Sequence, residues 1–246
     1  MKRNILFILT SLLISLNAHA FKFSPMSTSI GVKEKTNSTL FYLENDSDQP
    51  IAVTASVMKR EMSVEGVETN KKIDNEITVY PTQLIIPPNE KRSVKVTWVG
   101  KTAPVKEEAY RLIAEQLPIE LDKNKKQKAS IKVLLRYVAA LYVEPEGLSS
   151  DVSLKKMEVD EKKVSLTMSN AGKKHQVLSN LVIKFNGKKD ITVEGEDLKG
   201  MIGENVLAES ERIFHFQKSG KFKDVQSTDK VLSLIHISEP TRPLYI

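Results

Sequence analysis

Alternation of apolar and polar residues with a period of two runs through most of this chain, and it fixes the class of fold. Residues 51–57, 94–98 and 131–137 show it most clearly. Successive side chains of a β-strand point to opposite faces, so this period places one row in a core and the other in solvent. No long stretch combines the 3.6-residue period of an amphipathic helix with helix caps. The sequence therefore predicts an all-β fold.

Shorter segments of the same character continue along the chain. Turn residues separate them, for example Pro87-Pro88-Asn89 and Asn186-Gly187. Many short strands at this spacing predict β-sandwiches. The further predicted strands are residues 39–44, 76–80, 109–117, 152–154, 164–168, 181–185, 191–193 and 212–216.

A domain boundary is predicted near Pro145 and Gly147, which end the longest strand pattern. The chain has 246 residues, which is long enough for two sandwich domains. We therefore expect one domain over residues 21–145 and a second over residues 146–231. The second is the shorter, and we interpret it as truncated at its C-terminal end.

Both ends of the chain are interpreted as lying outside these domains. Residues 1–20 combine a positive start, an apolar run and a small-residue cleavage sequence, which is the pattern of a secretory signal peptide. This pattern predicts export through the inner membrane. Residues 232–242 read LSLIHISEPTR, which resembles the translation of a transposase sequencing adapter. We interpret residues 232–246 as an assembly artefact.

Composition excludes several kinds of chemistry. The chain contains no Cys, which rules out a thiol nucleophile, a disulfide and a Cys zinc site. Between the two end segments only His175 and His215 remain, and no HExxH or GxSxG motif occurs. The net charge is +6, but Lys and acidic residues are interleaved and no RNA-binding motif occurs, so no nucleic acid is expected as a partner. We expect no catalytic residues, no metal and no cofactor.

Residues 129–143 form the longest strand pattern, and at about 3.3 Å per residue they would span roughly 50 Å. Ile131, Val133, Leu135 and Tyr137 lie on one face of this strand. Two interpretations stay open from the residues alone. The row either faces the core of its own sheet, or it belongs to an exposed edge strand that pairs with another chain by β-augmentation.

Five motifs in a fixed order over residues 21–145 indicate a family. They are LEN at 43–45 with PI at 50–51, the proline-bounded loop YPTQLIIPP at 80–88, VKVTW at 94–98, EAYRL at 108–112 with QLP at 116–118, and the long strand from Ile131 to its closing Pro145. In this order the chain resembles the periplasmic chaperones of the chaperone–usher pilus pathway, the PapD-like family. The second half resembles that family in the style of its strands and in residues 207–211.

The resemblance implies two immunoglobulin-like β-sandwich domains in a boomerang arrangement. It also implies a non-enzymatic periplasmic chaperone, which stabilises pilus or fimbrial subunits by donating a β-strand and delivers them to an outer-membrane usher. Ile131, Val133, Leu135 and Tyr137 would then fill a groove in the subunit. A self-capping oligomer of the chaperone stays open as a further assembly.

The sequence departs from the family pattern at the two positions that anchor the terminal carboxylate of a subunit. Well-known members use an Arg on the first strand and a Lys on the long strand. Ser29 and Ala140 occupy the matching positions here, and neither carries a charge. Arg111 and Arg136 are the nearest substitutes, because Arg pairs with carboxylates in bidentate fashion. We therefore expect the anchor at Arg111 and Arg136.

Two functions of other classes stay open beside the chaperone. An exported two-domain adhesion or structural module would keep the row from Ile131 to Leu135 inside its own sheet. An enzyme with a carboxylate-only site would need Asp or Glu residues grouped in a cleft, and no such grouping is readable in the sequence. We adopt the chaperone as the expected function.

Overall fold

The computed structural model describes residues 21–73, 75–118 and 133–235, and they fold almost entirely as strands. In the first half the strands are β1 Phe21–Ser24, β2 Ser27–Ile30, β3 Ser38–Asn45, β4 Ile51–Met62, β5 Glu68–Lys71, β6 Ile77–Tyr80, β7 Gln83–Ile86, β8 Lys91–Trp98, β9 Glu108–Gln116 and β10 Arg136–Val143. In the second half they are β11 Val152–Val159, β12 Lys163–Asn170, β13 Gln176–Val177, β14 Leu181–Asn186, β15 Ile191–Glu194, β16 Asn205–Val206, β17 Ser210–Gln217 and β18 Lys230–Ile235. Short 3-10 helices lie at Gly195–Leu198 and Gly220–Phe222. Among the described residues, no helix is long and apolar enough to span a bilayer.

The first half is a sandwich of two sheets. One sheet has the strand order β1-β3-β8-β6, and the other has the order β2-β10-β9-β4-β5 with β7 also paired to β4. The predicted alternation of residues 94–98 places Val94, Val96 and Trp98 inside, where each is at most 5% exposed. They belong to one hydrophobic cluster with Tyr110 of β9 and Leu141 of β10.

The second half has a hydrophobic cluster of its own. Its sheets have the orders β11-β12-β17 and β15-β14-β18, together with the pair β13-β16. Leu166 and Met168 of β12 lie in this cluster with Ile183 and Phe185 of β14 and Phe214 of β17. The predicted fold class, all-β with two immunoglobulin-like β-sandwiches, is therefore confirmed.

A buried asparagine organises the turn that follows β3. Asn45 is the last residue of β3 and is fully buried. Its side-chain amide donates to the carbonyl oxygens of Gln49, Ile86 and Pro87 at 2.8 to 3.1 Å. Its side-chain oxygen accepts the backbone N–H of Ser47 at 3.0 Å. The side chain therefore satisfies backbone groups that would otherwise be buried without a partner.

The second sandwich repeats this arrangement at the end of β12. Asn170 is the last residue of β12 and is 1% exposed. Its side-chain amide donates to the carbonyl oxygens of Lys174, Val206 and Leu207 at 2.8 to 3.2 Å. Its side-chain oxygen accepts the backbone N–H of Gly172 at 3.0 Å. The two sandwiches thus use the same residue type for the same task.

Two expectations about strands in the first half need correction. Residues 80–88 are not a loop throughout, because Gln83–Ile86 form β7 and pair antiparallel with β4, which places Ile86 fully inside the core. The strand expected over residues 129–143 begins, where the structure describes it, at Arg136. Residues 133–135 precede it without regular strand geometry. β9 ends at Gln116, whose backbone N–H donates to the carbonyl oxygen of Leu135 at 2.9 Å, and the next residues, Leu117 and Pro118, are not part of a strand. Residues 129–132 lie outside the described residues.

The predicted end segments meet the described structure only in part. Residues 1–20 and 236–246 lie outside the described residues. The backbone of Lys230–Ile235 forms β18, which pairs antiparallel with β14 at the edge of its sheet. The signal peptide, the boundary at residue 145, the truncation and the artefact interpretation of residues 232–246 all stay predictions.

Candidate functional site

Among the described strands, one edge of β10 has no partner over half of the strand's length. β10 pairs antiparallel with β9 from Arg136 to Val143. On its other side it pairs in parallel with β2, but only from Ala140 to Val143. Of the strands that the structure describes, none therefore covers the second edge of residues 136–139. An uncovered strand edge presents backbone N–H and C=O groups to which another strand can add.

The apolar row of β10 starts in the core and runs out of it. Leu141 and Val143 are fully buried in the first hydrophobic cluster. Tyr137 and Leu135 continue the same face, are partly buried and pack against that cluster. Val133 is 74% exposed, and Ile131 lies outside the described residues. The row predicted from the sequence is therefore continuous with the domain's own core at one end and exposed at the other.

The side chain of Tyr137 contacts its own sandwich. Its hydroxyl donates to the backbone oxygen of Phe21 at 2.5 Å. Its ring meets the ring of Phe21 edge to face, with 4.8 Å between centroids. These contacts join β10 to β1 across the sandwich, so Tyr137 closes the core at the point where the row leaves it.

Arg111 lies on the outward face of β9, opposite Ala140 in the register of β9 and β10. Its Nε and Nη2 atoms donate to the two carboxylate oxygens of Glu68 at 2.8 and 2.5 Å. This bidentate bond holds the pKa of the Glu68 carboxyl below its ordinary value. Arg111 therefore has the fork geometry expected of a carboxylate anchor, but its carboxylate comes from the same chain.

Arg60 completes this cluster and was not found by sequence reasoning. Its Nε donates to Glu68 at 2.8 Å, and its Nη1 lies 3.3 Å from the hydroxyl of Tyr142. Its side chain is 6% exposed, although it carries a full charge. Arg60 follows a run of alternating apolar residues in β4, and nothing in that pattern marks it as different from an ordinary outward-facing side chain.

Arg136 lies apart from this cluster. Its side chain is 52% exposed, and its Nε is 3.8 Å from a carboxylate oxygen of Glu115. Because Arg136 pairs with Glu115 and Ala140 pairs with Arg111, the two arginines are separated by four residues of register, or about 13 Å at 3.3 Å per residue. The structure does not bring Arg136 and Arg111 together.

Contacts between the two sandwiches pass close to this cluster. The carboxylate of Glu107 is 1% exposed and lies 2.7 Å from Nδ1 of His175. The His175 ring stacks on the ring of Tyr142 with 3.8 Å between centroids. Asn205 donates to the Tyr142 hydroxyl at 2.7 Å. Burial in this contact raises the pKa of Tyr142, which remains a neutral hydrogen-bonding group.

The loop between β4 and β5, residues 63–67, also reaches the second sandwich. The backbone N–H of Ile213 in β17 donates to the carbonyl oxygen of Val64 at 2.8 Å. Gly66 has φ of +79°, and a Cβ at this position would lie 2.4 Å from Nε of Arg212. The side chains of Glu65 and His215 meet at 3.0 Å. The loop therefore fits the second sandwich closely and requires glycine where it does so.

The described residues include groups that suit contact with another polypeptide. They contain no group of three or more His, Cys, Asp or Glu side chains that could hold a metal ion. The features that stand out are a strand edge that no described strand covers, an apolar row leaving the core, and two guanidinium groups on the neighbouring strands β9 and β4. This arrangement suits the binding of an extended polypeptide.

A model of one protein family matches this sequence. The family is described as pili and flagellar-assembly chaperone, PapD N-terminal domain, and the match covers residues 22–149. The match includes β10 and all of the first sandwich except Phe21, the first residue of β1. No curated protein sequence gives a significant match.

Solved structures of similar fold include three complexes. A chaperone–tip adhesin complex of CFA/I fimbriae biogenesis matches with 16% identity, 87% of this chain, 98% of that chain and a TM-score of 0.57. The CsuC–CsuE chaperone–tip adhesion subunit complex from Csu pili of Acinetobacter baumannii matches with 17% identity, 79% and 89% coverage and a TM-score of 0.54. The Salmonella enterica SafA pilin in complex with the SafB chaperone matches with 14% identity, 80% and 84% coverage and a TM-score of 0.53. At these identities the likeness establishes a shared fold.

Proposed function

Because the chain belongs to the pili and flagellar-assembly chaperone family, we propose that it is a periplasmic chaperone that holds pilus subunits by lending them a strand. The lent segment is the start of β10 together with the residues before it, which include Ile131, Val133 and Leu135. The client is an incomplete β-sandwich whose missing strand this segment supplies. Delivery of the client to an outer-membrane usher completes the proposed role.

The apolar row of β10 is the observation that carries this proposal. Exposure along the row rises from a fully buried Val143 to a Val133 that is 74% exposed. A structural module with no partner has no use for an exposed apolar row beside an open strand edge, which is an aggregation hazard. A chaperone that donates a strand needs both features at the same place.

The expected energetics fit a reversible complex. Burying a fully exposed aliphatic side chain in a client groove contributes about 1.5–3 kcal/mol. Val133 is close to this case, and Leu135, which is already partly buried, contributes less. Backbone pairing along the open edge adds further stabilisation. Loss of translational and rotational freedom offsets several kcal/mol of this gain. The client is therefore held without a covalent bond, and its release needs only a competing strand.

Arg111 is the stronger of the two proposed carboxylate anchors. It is 18% exposed, lies beside Ala140 of β10 and already binds a carboxylate with two hydrogen bonds. Arg136 is exposed and sits next to the open edge of β10, where it would meet the client as a surface charge. In this arrangement Arg136 would contact the client beside the uncovered edge of β10, and Arg111 would bind the client's terminal carboxylate on the outward face of β9.

The test is capture of a client by the tagged exported chain, co-expressed with the subunit genes that neighbour its own. Val133→Glu should reduce the amount of captured subunit at least about tenfold, because it places a charge in an apolar groove. Val105→Glu is the matched control. Val105 is 78% exposed and lies just before the first residue of β9, at the end of that strand far from Val133. Both variants should keep the thermal stability of the parent, because neither position is buried.

Two results would contradict the proposal. Equal capture by the parent and by Val133→Glu would show that the row is not the contact surface. A chain that captures no small β-rich subunit, although such subunits are expressed beside it, would favour an exported adhesion or structural module instead.

A further inference from the structure

The cluster of Arg60, Glu68 and Arg111 has an unequal charge balance. Two guanidinium groups share a single carboxylate, so the trio carries one net positive charge. Arg60 is 6% exposed and Arg111 is 18% exposed, so solvent screens this charge less than it would at an open surface. A partly buried excess of positive charge attracts a further anion.

The donors of this cluster are arranged around one carboxylate position. Three N–H groups point at the oxygens of Glu68: Nε of Arg60 and both Nε and Nη2 of Arg111, at 2.5 to 2.8 Å. The hydroxyl of Tyr142 lies next to them, within 3.3 Å of Arg60. Another carboxylate at the same position would meet the same donors. If it replaced Glu68, it would form the same hydrogen bonds that Glu68 gives up.

Glu68 sits on an element that is able to give way. It is the first residue of β5, a strand of four residues at the edge of its sheet. The structure pairs β5 with β4 over four residue pairs and leaves three of its four side chains exposed. The arginines, in contrast, lie on β4 and β9 in the interior of the sheet. Glu68 is therefore held by fewer strand contacts than the two arginines.

We propose that Arg60 and Arg111 form a carboxylate-binding site that the chain fills with its own Glu68 until a client's terminal carboxylate replaces it. The inference rests on the proposed chaperone function for the identity of the incoming carboxylate. In this proposal Glu68 is an internal competitor for the two arginines. It weakens the binding of any peptide that has a carboxylate but does not also pair with β10 as a strand. A client makes both contacts, because its strand pairs with β10 while its carboxylate binds the arginines. Only such a client therefore displaces Glu68 effectively.

The test uses Glu68→Gln in the full exported chain, with N-acetylglycine as the carboxylate probe and N-acetylglycinamide as its uncharged counterpart. The variant should bind N-acetylglycine about tenfold more tightly than the parent, which corresponds to about 1.4 kcal/mol. Neither chain should bind the amide. Calorimetry gives the affinities, and the ¹⁵Nε–¹H signals of the arginine side chains report which guanidinium groups respond.

Glu61→Gln is the matched control, because Glu61 lies on β4, is 46% exposed and pairs with Lys71 away from this cluster. It should bind the probe as weakly as the parent. An equal gain in Glu61→Gln, an equal gain for the amide, or no gain in Glu68→Gln would overturn the proposal. If Glu68→Gln does not fold, Glu68→Asp serves instead. Its shorter side chain reaches the donors less well, and absence of a gain there overturns the proposal equally.

This test separates the two proposals. If Glu68→Gln binds N-acetylglycine but the chain captures no subunit, the carboxylate site exists and the chaperone function is wrong. If the chain captures subunits but Glu68→Gln gains no affinity for the probe, the function stands and the role assigned to Glu68 is wrong.

Discussion

The two sandwiches of this chain solve the same folding problem and differ in what they leave open. Both end a core strand with a buried asparagine, Asn45 in the first and Asn170 in the second, whose amide ties together three backbone carbonyls. In the second, the core-facing residues of β14 from Leu181 to Phe185 are all buried. In the first, the core-facing row of β10 continues to an exposed Val133. The same architecture therefore serves as a closed support in one case and as a binding surface in the other.

Truncating one leucine in each sandwich should show this difference most strongly. Leu166→Ala removes a fully buried side chain of the second core, which should lower the free energy of unfolding by about 2–5 kcal/mol. Leu135→Ala removes a side chain that is only partly buried, so its cost should be about 1 kcal/mol. Urea denaturation measures both. An equal loss in the two variants would mean that Leu135 is ordinary core and not part of a binding row.

Replacing the two asparagines should show the similarity. Asn45→Ala and Asn170→Ala each leave several buried carbonyl groups without a donor, and each should cost about 3 kcal/mol. Asn186→Ala, at an exposed end of β14, is the control and should cost almost nothing. If one of the two buried asparagines proves dispensable, the two turns are not equivalent, and the comparison between the sandwiches is weaker than the contacts suggest.

Gly66→Ala addresses how the two sandwiches are joined. The variant places a Cβ against Arg212 and an L-residue at a φ of +79°, which should cost about 1–2 kcal/mol. Gly203→Ala is the control, because Gly203 has a similar φ of +85° but nothing within 4 Å of its Cβ position. Calorimetry should show the two sandwiches unfolding more independently in Gly66→Ala. Identical behaviour of the two variants would assign the whole effect to backbone strain.

The acid response of Glu68 gives the smallest expected effect. Its pKa is lowered in the folded chain from an ordinary value of 4.5 by the hydrogen bond from Arg111. Its contribution to stability is therefore present above pH 4.5 and is lost as the pH falls through the lowered value. The loss should be about 1 kcal/mol, because solvent screens a partly exposed pair. Glu68→Gln should lack this part of the acid dependence when urea midpoints are compared between pH 7 and pH 3.

Local pattern was sufficient to predict most of the fold and part of the candidate site. Val94, Val96 and Trp98 were predicted as one face and form part of the core, because alternation is a property of a single strand. β7 escaped prediction because its four residues stand between prolines and resemble a loop. Arg60 and Glu68 escaped because their contact depends on how β4, β5 and β9 lie side by side, and register between strands is not written in any one of them.

Arg111 shows the same limit in another form. The sequence indicated it as a cation near the position of Ala140, and the structure places it directly opposite that residue. Nothing in the sequence indicated that its charge is engaged by Glu68. The family resemblance predicts which strand matters, whereas the state of the side chains around it follows only from the packed sheet.

The continuity of the β10 row has a thermodynamic consequence for the chaperone itself. Leu135 and Tyr137 contact the first hydrophobic cluster, and Leu135 also belongs to the row proposed to enter the client. A client that covers this row binds the folded sandwich and not the unfolded chain, so it raises the melting temperature of the first domain in proportion to the logarithm of its concentration. Chaperone and client would then stabilise each other, and each would be most resistant to unfolding while the other is present.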